Sequence, residues 1–324
     1  VSRLQVVSGK GGTGKTTVAA ALALALATEG KRTLLVEVEG RQGIAQLFET
    51  EALPYEERKI AVAPGGGEVY ALAIDPELAL LDYLQMFYKL GGAGRALKKL
   101  GAVDFATTIA PGLRDVLLTG KACEAVRRKD KQGRYAYDCV IMDAPPTGRI
   151  TRFLNVNDEV AGLAKIGPIH NQAQAVMRVL KSPETSVHLV TLLEEMPVQE
   201  TVDGIAELRA AKLPVGRVIV NMVRPALLDE AELELGLGGT PRTAIAKTLA
   251  AAGLGGARGA AGRLVGPLLE QASEYAERHA LEGAQRAVLA GHDLPLHELP
   301  LLADGLDLAG LYELAAELRA QGVA

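Results

Sequence analysis

Near the start of the chain, Gly9-Lys10-Gly11-Gly12-Thr13-Gly14-Lys15-Thr16 has the spacing G-x-x-x-x-G-K-[ST]. Glycines so placed let the backbone curl until successive N–H groups converge on one point, which suits a phosphate. Lys15 then reaches the β- and γ-phosphates of a nucleoside triphosphate, and Thr16 offers a hydroxyl to Mg2+. The loop follows the β-prone run Leu4-Gln5-Val6-Val7-Ser8 and precedes a long alanine-rich helix pattern that runs to about Thr28. The positive end of that helix faces the same anion. ATP with Mg2+ is therefore the expected ligand. Lys10 is a second, early lysine, which its surroundings alone would leave as a solvated loop residue.

The elements that must hold this loop follow in order. Gly30 stops the helix, and Thr33-Leu34-Leu35-Val36 reads as a second buried strand, so the chain opens with a βαβ unit and its parallel strands. Asp138–Met142, Val187–Thr191 and Val215–Val220 repeat the signal: short, β-branched and without alternation, as in strands covered on both faces. A last strand is expected near Leu296–Leu299, with a helix over Leu306–Leu318. Pro76 and Pro111 open helix patterns that run to Leu90 and about Arg128, since proline suits a first helical turn. Residues 155–182 also read as helical. The predicted fold is α/β: one P-loop domain over residues 1–324, its mostly parallel sheet covered by helices on both faces, with a helical subdomain inserted at 76–130 and 155–182. Residues 249–262, rich in alanine and glycine, read as a mobile connection.

Composition narrows the function classes. The 324 residues are 48% hydrophobic with a net charge of −4, so no chain-wide electrostatic pull toward nucleic acid or anionic lipid is expected. Val18–Ala27 is about half the length of a membrane span and reads as a buried helix, so no integral membrane segment is expected. It follows a glycine loop rather than a charged segment, which argues against a signal peptide. The opening at Val1 rather than methionine is consistent with a short leader ahead of it. The two cysteines, Cys123 and Cys139, form no Cys-x-x-Cys, and the five histidines are scattered; neither a zinc site nor a disulfide framework is expected, and a reducing, cytoplasmic setting fits.

Lys10-Gly11-Gly12-Thr13-Gly14-Lys15-Thr16-Thr17 resembles the deviant phosphate loop of the MinD/ParA/ArsA superfamily. The resemblance implies a dimer with nucleotide between its subunits and Lys10 acting in the partner's site, as an arginine finger does. Asp143-Ala144-Pro145-Pro146-Thr147-Gly148-Arg149-Ile150-Thr151-Arg152-Phe153-Leu154 resembles switch II of the ArsA-type and tail-anchored-protein-targeting ATPases, roughly D-T-A-P-T-G-H-T-x-R-x-L. In that likeness Asp143 orders Mg2+ and its waters, and Pro146, Thr147 and Gly148 sense the γ-phosphate. Val69–Glu77 resembles the segment leading into the family's helical subdomain. Asn221 matches its adenine-reading asparagine, whose amide can pair with the base's donor–acceptor edge. Glu194 falls at a nucleotide-contacting glutamate, and Leu299-Pro300-Leu301-Leu302 resembles the loop that packs on adenine.

The chain also departs from that pattern. Where the family's switch I has an aspartate that positions the attacking water, Glu37-Val38-Glu39-Gly40-Arg41-Gln42-Gly43 places Glu39. A glutamate is one methylene longer, and an error near 1 Å can cost about a hundredfold in rate. The cysteines for zinc bridging or arsenite activation are missing. The apolar helix Leu80–Leu90 reads as helix-on-helix core rather than a groove for a client's transmembrane helix, since only Met86 and Met177 of the five methionines lie in the helical insertion. The chain is similar to the actinobacterial ArsA-like ATPases of the mycobacterial type, which lack the metal cysteines and occur as paired subunits. The likeness implies a Mg-ATP-dependent ATPase, homo- or heterodimeric, that turns over slowly and switches a protein client or partner. The alternatives are a nucleotide-binding regulatory subunit with little hydrolysis, a ParA- or MinD-like positioning ATPase and, last, an arsenite-efflux motor.

Overall fold

In the computed structural model, which describes residues 2–88, 111–163, 168–228, 239–254, 260–303 and 305–323, the β-branched runs join into one eight-stranded sheet. Its strands are β1 (Leu4–Gly9), β2 (Arg32–Glu37), β3 (Arg58–Val62), β4 (Glu68–Ala73), β5 (Cys139–Asp143), β6 (Thr185–Thr191), β7 (Val215–Val223) and β8 (Leu296–Pro300). Their spatial order is β3-β4-β2-β5-β1-β6-β7-β8, and only β3 runs antiparallel to its neighbour. From the central β1 the chain crosses past β5 to β2, and from β5 it later crosses past β1 to β6. A crevice outside the carboxyl ends of β1 and β5 follows from that reversal, where open α/β sheets bind ligands. Six strands coincide with runs read from the sequence; β3 and β4 are additional and form an edge hairpin.

Why the central strands lack a visible alternation is clear from their two faces. Val6, Leu34, Val36, Met142, Leu189 and Val220 enter one core, while Val7, Leu35, Ile141, Val190 and Ile219 enter the other. Successive side chains point to opposite faces, and both are covered. One layer holds α1 (Lys15–Leu26), α2 (Gly43–Leu47) and α10 (Leu308–Ala320). Every residue of α1 from Val18 to Leu26 is buried, so the early apolar run is a core helix, its alanines admitting close neighbours on all sides.

The other layer holds α3 (Pro76–Tyr88), α4 (Pro111–Arg127), α5 (Thr147–Leu163), α6 (Pro168–Leu180) and α7 (Glu195–Ala210). The first four pack on one another. The proline-started helices begin where expected; Lys89 and Leu90, the expected end of α3, lie outside the described residues. Leu80 and Met177 are buried in this layer's core, and the side chain of Met86 lies outside the described residues. Helix α5 begins at Thr147 rather than 155: Pro146, with its fixed φ, leads straight into the first turn, so the Pro-Thr-Gly core of the motif is a helix start. The reading of 249–262 as a mobile connection also needs correction. Helix α8 (Arg242–Ala251) and the 31-residue α9 (Ala260–Ala290) enter it from both sides, and residues 255–259 lie outside the described ones. Among the described residues no helix is long and apolar enough to cross a membrane.

Candidate functional site

The loop after β1 reaches α1 through Gly14, whose φ of 82° is left-handed; a Cβ there would collide with the Asn221 amide. Gly11 differs. Its Cβ would meet nothing within 4 Å, so packing within the protein does not require a glycine there. Thr13 donates its hydroxyl to the Lys10 carbonyl at 2.8 Å, and Asn221, at the end of β7, donates its amide to the Thr13 carbonyl at 2.9 Å. Residues 208 positions apart thus fix the loop.

Beside it, β5 delivers Asp143. Thr16 donates its hydroxyl to Asp143 Oδ2 at 2.7 Å, while Oδ1 is buried with no hydrogen-bond partner. Burial pushes the Asp143 carboxyl up to about 6; the Thr16 bond and Lys15 oppose the shift, and Glu37 and Glu39 add to it. A buried carboxylate oxygen next to a threonine hydroxyl is a donor set that fits Mg2+, a cation that takes oxygen ligands. Ser8 donates to the Pro145 carbonyl at 2.6 Å and ties the segment after β5 to the end of β1.

Lys10 forms an ion pair of 2.9 Å with Glu200 on α7 of its own chain. The other Glu200 oxygen accepts from the Thr147 hydroxyl at 3.3 Å. One carboxylate therefore joins the early lysine to the start of α5. Thr147 is buried, Pro146 half-buried and Gly148 exposed. Glu200 carries no signal in the sequence, because nothing local marks a helix residue that acts across the fold.

After β2, two glutamates divide the labour. Glu37 is buried, and its carboxylate accepts the N–H groups of Gln42 at 2.5 Å and Ile44 at 3.3 Å, closing the turn into α2. Glu39 is half-buried, 3.7 Å from Arg41. It lines a pocket of about 190 Å³ together with Pro145, Arg41, Arg114 and Arg149. These three arginines come from three segments and carried no joint signal in the sequence. Burial raises the carboxyl of Asp115 in the same pocket, against the pull of Arg149, Arg114 and Arg152.

A second pocket, of about 100 Å³, gathers Glu194, Asn221, Met222, Arg224, Glu282 and Leu301 with other residues at the ends of β6 and β7. Glu194 is the N-cap residue of α7 but makes no capping bond with its side chain. Leu301 donates its N–H to the Val223 carbonyl at 2.8 Å, which brings the end of β8 to β7. Pro300 ends β8 in register with Val223 and is not among the pocket's lining residues. Elsewhere, a cavity of about 420 Å³ lies among α3, α4 and α6, lined in part by Tyr55, Asp82 and Lys121.

Among the described residues no group of three or more His, Cys, Asp or Glu could hold a metal ion. Both cysteines are buried, and burial raises each thiol to about 12. That holds them as inert thiols.

Comparison with known proteins gives a consistent picture. The family model described as anion-transporting ATPase matches residues 2–184. The chain is 52% identical to ATPase BagA of Mycobacterium tuberculosis over 322 residues, 99% of this chain and 94% of that protein. It is 26% identical to ATPase GET3 of Eremothecium gossypii over 257 residues, 69% of this chain and 72% of that protein. The corresponding figures for ATPase GET3 of Kluyveromyces lactis are 27%, 260 residues, 70% and 73%.

Proposed function

The chain belongs to the anion-transporting (ArsA-type) ATPase family, a family of nucleotide-binding ATPases, and from that premise we propose that it is a Mg-ATP-driven dimeric switch acting on a protein partner. The observation that carries the reading is the junction at the ends of β1 and β5. There Gly11 gives open approach to the loop backbone, Lys15 stands at the start of α1, and Thr16 meets an Asp143 carboxylate with one oxygen unpartnered. In this reading the loop from Gly9 to Thr17 holds the triphosphate by backbone N–H groups and Lys15. Thr16 and Asp143 would hold Mg2+, which would neutralise phosphate charge. Glu39 orients the attacking water. Pro146, Thr147 and Gly148 follow the γ-phosphate, and Asn221, Glu194, Pro300 and Leu301 receive the adenine. Helices α3 to α6 form a subdomain that changes position with the nucleotide state.

In this reading Lys10, paired with Glu200 in its own chain, leaves it for the phosphates of another subunit. Because Glu200 also holds Thr147, withdrawal of Lys10 loosens the start of α5. Order in such segments is how nucleotide chemistry becomes shape. The pairing of Glu39 with Arg41 favours slow intrinsic hydrolysis, which keeps a regulatory-subunit role as the second reading. Sedimentation of the chain with Mg2+ and either ADP or a non-hydrolysable ATP analogue tests the proposal. Dimerisation with the analogue alone is the expected result; a monomer in both would refute it.

A further inference from the structure

The base-side pocket has one wall that comes from neither the phosphate loop nor the strand ends. Glu282, on α9, lines it and pairs with Arg224, just past β7, at 3.4 Å. The Glu282 side chain is only 15% exposed, against 52% for Arg224. Two further contacts hold α9 against the same loops. Tyr275 accepts the Leu227 N–H at 3.0 Å, and Arg286 donates to both oxygens of Glu298 on β8, at 2.5 and 3.0 Å. Positions 275, 282 and 286 share one helical face, so this wall is fixed in place before any ligand arrives.

We propose that the Arg224–Glu282 pair sets the base preference of this site: by occupying the Glu282 carboxylate, Arg224 keeps it from pairing with guanine. The inference rests on the reading of this pocket as the seat of the nucleotide base. Guanine carries two adjacent donors, N1–H and N2–H2, which match a free carboxylate with two bonds. Adenine presents at that edge the N1 lone pair, which a carboxylate repels, beside the single donor N6–H2, so it can make at most one bond there. Pairing with the guanidinium compensates the charge of Glu282 and engages its Oε1, and the remaining arginine donors suit adenine's acceptors.

Calorimetric dissociation constants for ATP, GTP and tripolyphosphate, measured on the wild type, Arg224→Ala, Glu282→Ala and the double variant, test this. The wild type is expected to prefer ATP to GTP and to bind ATP more tightly than tripolyphosphate. Arg224→Ala should lower the ATP-to-GTP preference by at least about tenfold, the scale on which a site's polar groups sort analogues. With Glu282→Ala in place, the same arginine change should leave the ratio unaltered. Unaltered tripolyphosphate affinity marks a folded variant, and Arg224→Gln reads the same quantity should the alanine variant not fold. An unchanged ratio in the folded arginine variant overturns the proposal, as does an equal shift with Glu282 absent. Equal wild-type affinity for ATP, GTP and tripolyphosphate would instead refute the pocket as a base site, and the proposal with it.

Discussion

The phosphate end and the base end of the site are built by different means. At the phosphate end, a continuous run from Gly9 to Thr17 shapes itself, with one distant acid, Asp143, brought alongside by strand pairing. At the base end, residues from four segments between Glu194 and Leu301 meet, none forming a local motif with the others. In the proposed reading, backbone N–H groups serve the first region and side chains the second. The lesson is that the first is robust to context and the second depends on the packing of α9. Asn221 joins them, its amide holding the phosphate loop from the base side.

The largest expected effect separates the two ends. Lys15→Ala should weaken ATP and tripolyphosphate alike, by on the order of a hundredfold or more, since a charge-assisted contact is lost from the shared anion. Asn221→Ala should cost about tenfold for ATP and less for tripolyphosphate, a loss near one net hydrogen bond. Calorimetry reads both. Equal losses for the two ligands in Asn221→Ala would dissolve the distinction.

Next in size is hydrolysis. Glu39→Gln should keep ATP affinity and lower single-turnover hydrolysis about a hundredfold, the scale of a positioned general base. If the chain is instead a regulatory subunit, hydrolysis by the isolated wild type is already at background and the substitution changes nothing.

A smaller effect is set by pH. Because burial raises Asp143 to about 6, Mg-dependent nucleotide affinity should fall as the pH drops through about 6, while affinity measured without Mg2+ falls less. The stability of the ligand-free chain runs the opposite way. The folded state binds this proton more tightly than the unfolded chain does, so the group's contribution is favourable in acid and is lost as pH rises from about 4 toward 6. Asp143→Asn should therefore remove that loss, raising the ligand-free melting temperature at pH 7 while abolishing the Mg2+ effect. A lowered melting temperature would contradict the assigned burial cost. For stability alone, Gly14→Ala should cost about 1–3 kcal/mol from the left-handed φ and the collision with Asn221, measured by denaturant unfolding.

The same contrast explains what the sequence made legible. The central strands were readable because burial on both faces leaves unbroken apolar runs such as Leu34–Val36. Strand β3, Arg-Lys-Ile-Ala-Val, was not, because an edge strand carries charges and little burial. Helix α9 was hidden by Gly262, Gly266, Pro267 and Gly283, which punctuate it, and by its mostly exposed surface. It is held by α8 and by side-chain ties to β7 and β8, which no local pattern announces. Asn221 was readable only through the family likeness, and Glu282 and Arg224 through nothing local. The Lys10–Glu200 contact was equally silent, since helix α7 meets the phosphate loop only in the folded chain.

The central claim, that Lys10 serves the site of a second subunit, can be put to one measurement. Lys10→Ala retains its own phosphate loop but lacks the lysine for a partner, whereas Lys15→Ala cannot hold ATP but can still present Lys10. Single-turnover ATP hydrolysis is measured for each variant alone and for an equimolar mixture. The account predicts little activity in either variant and clear recovery in the mixture, because a mixed dimer pairs an intact loop with an intact Lys10 in trans. No recovery, with mixed dimers verified by cross-linking, would contradict it.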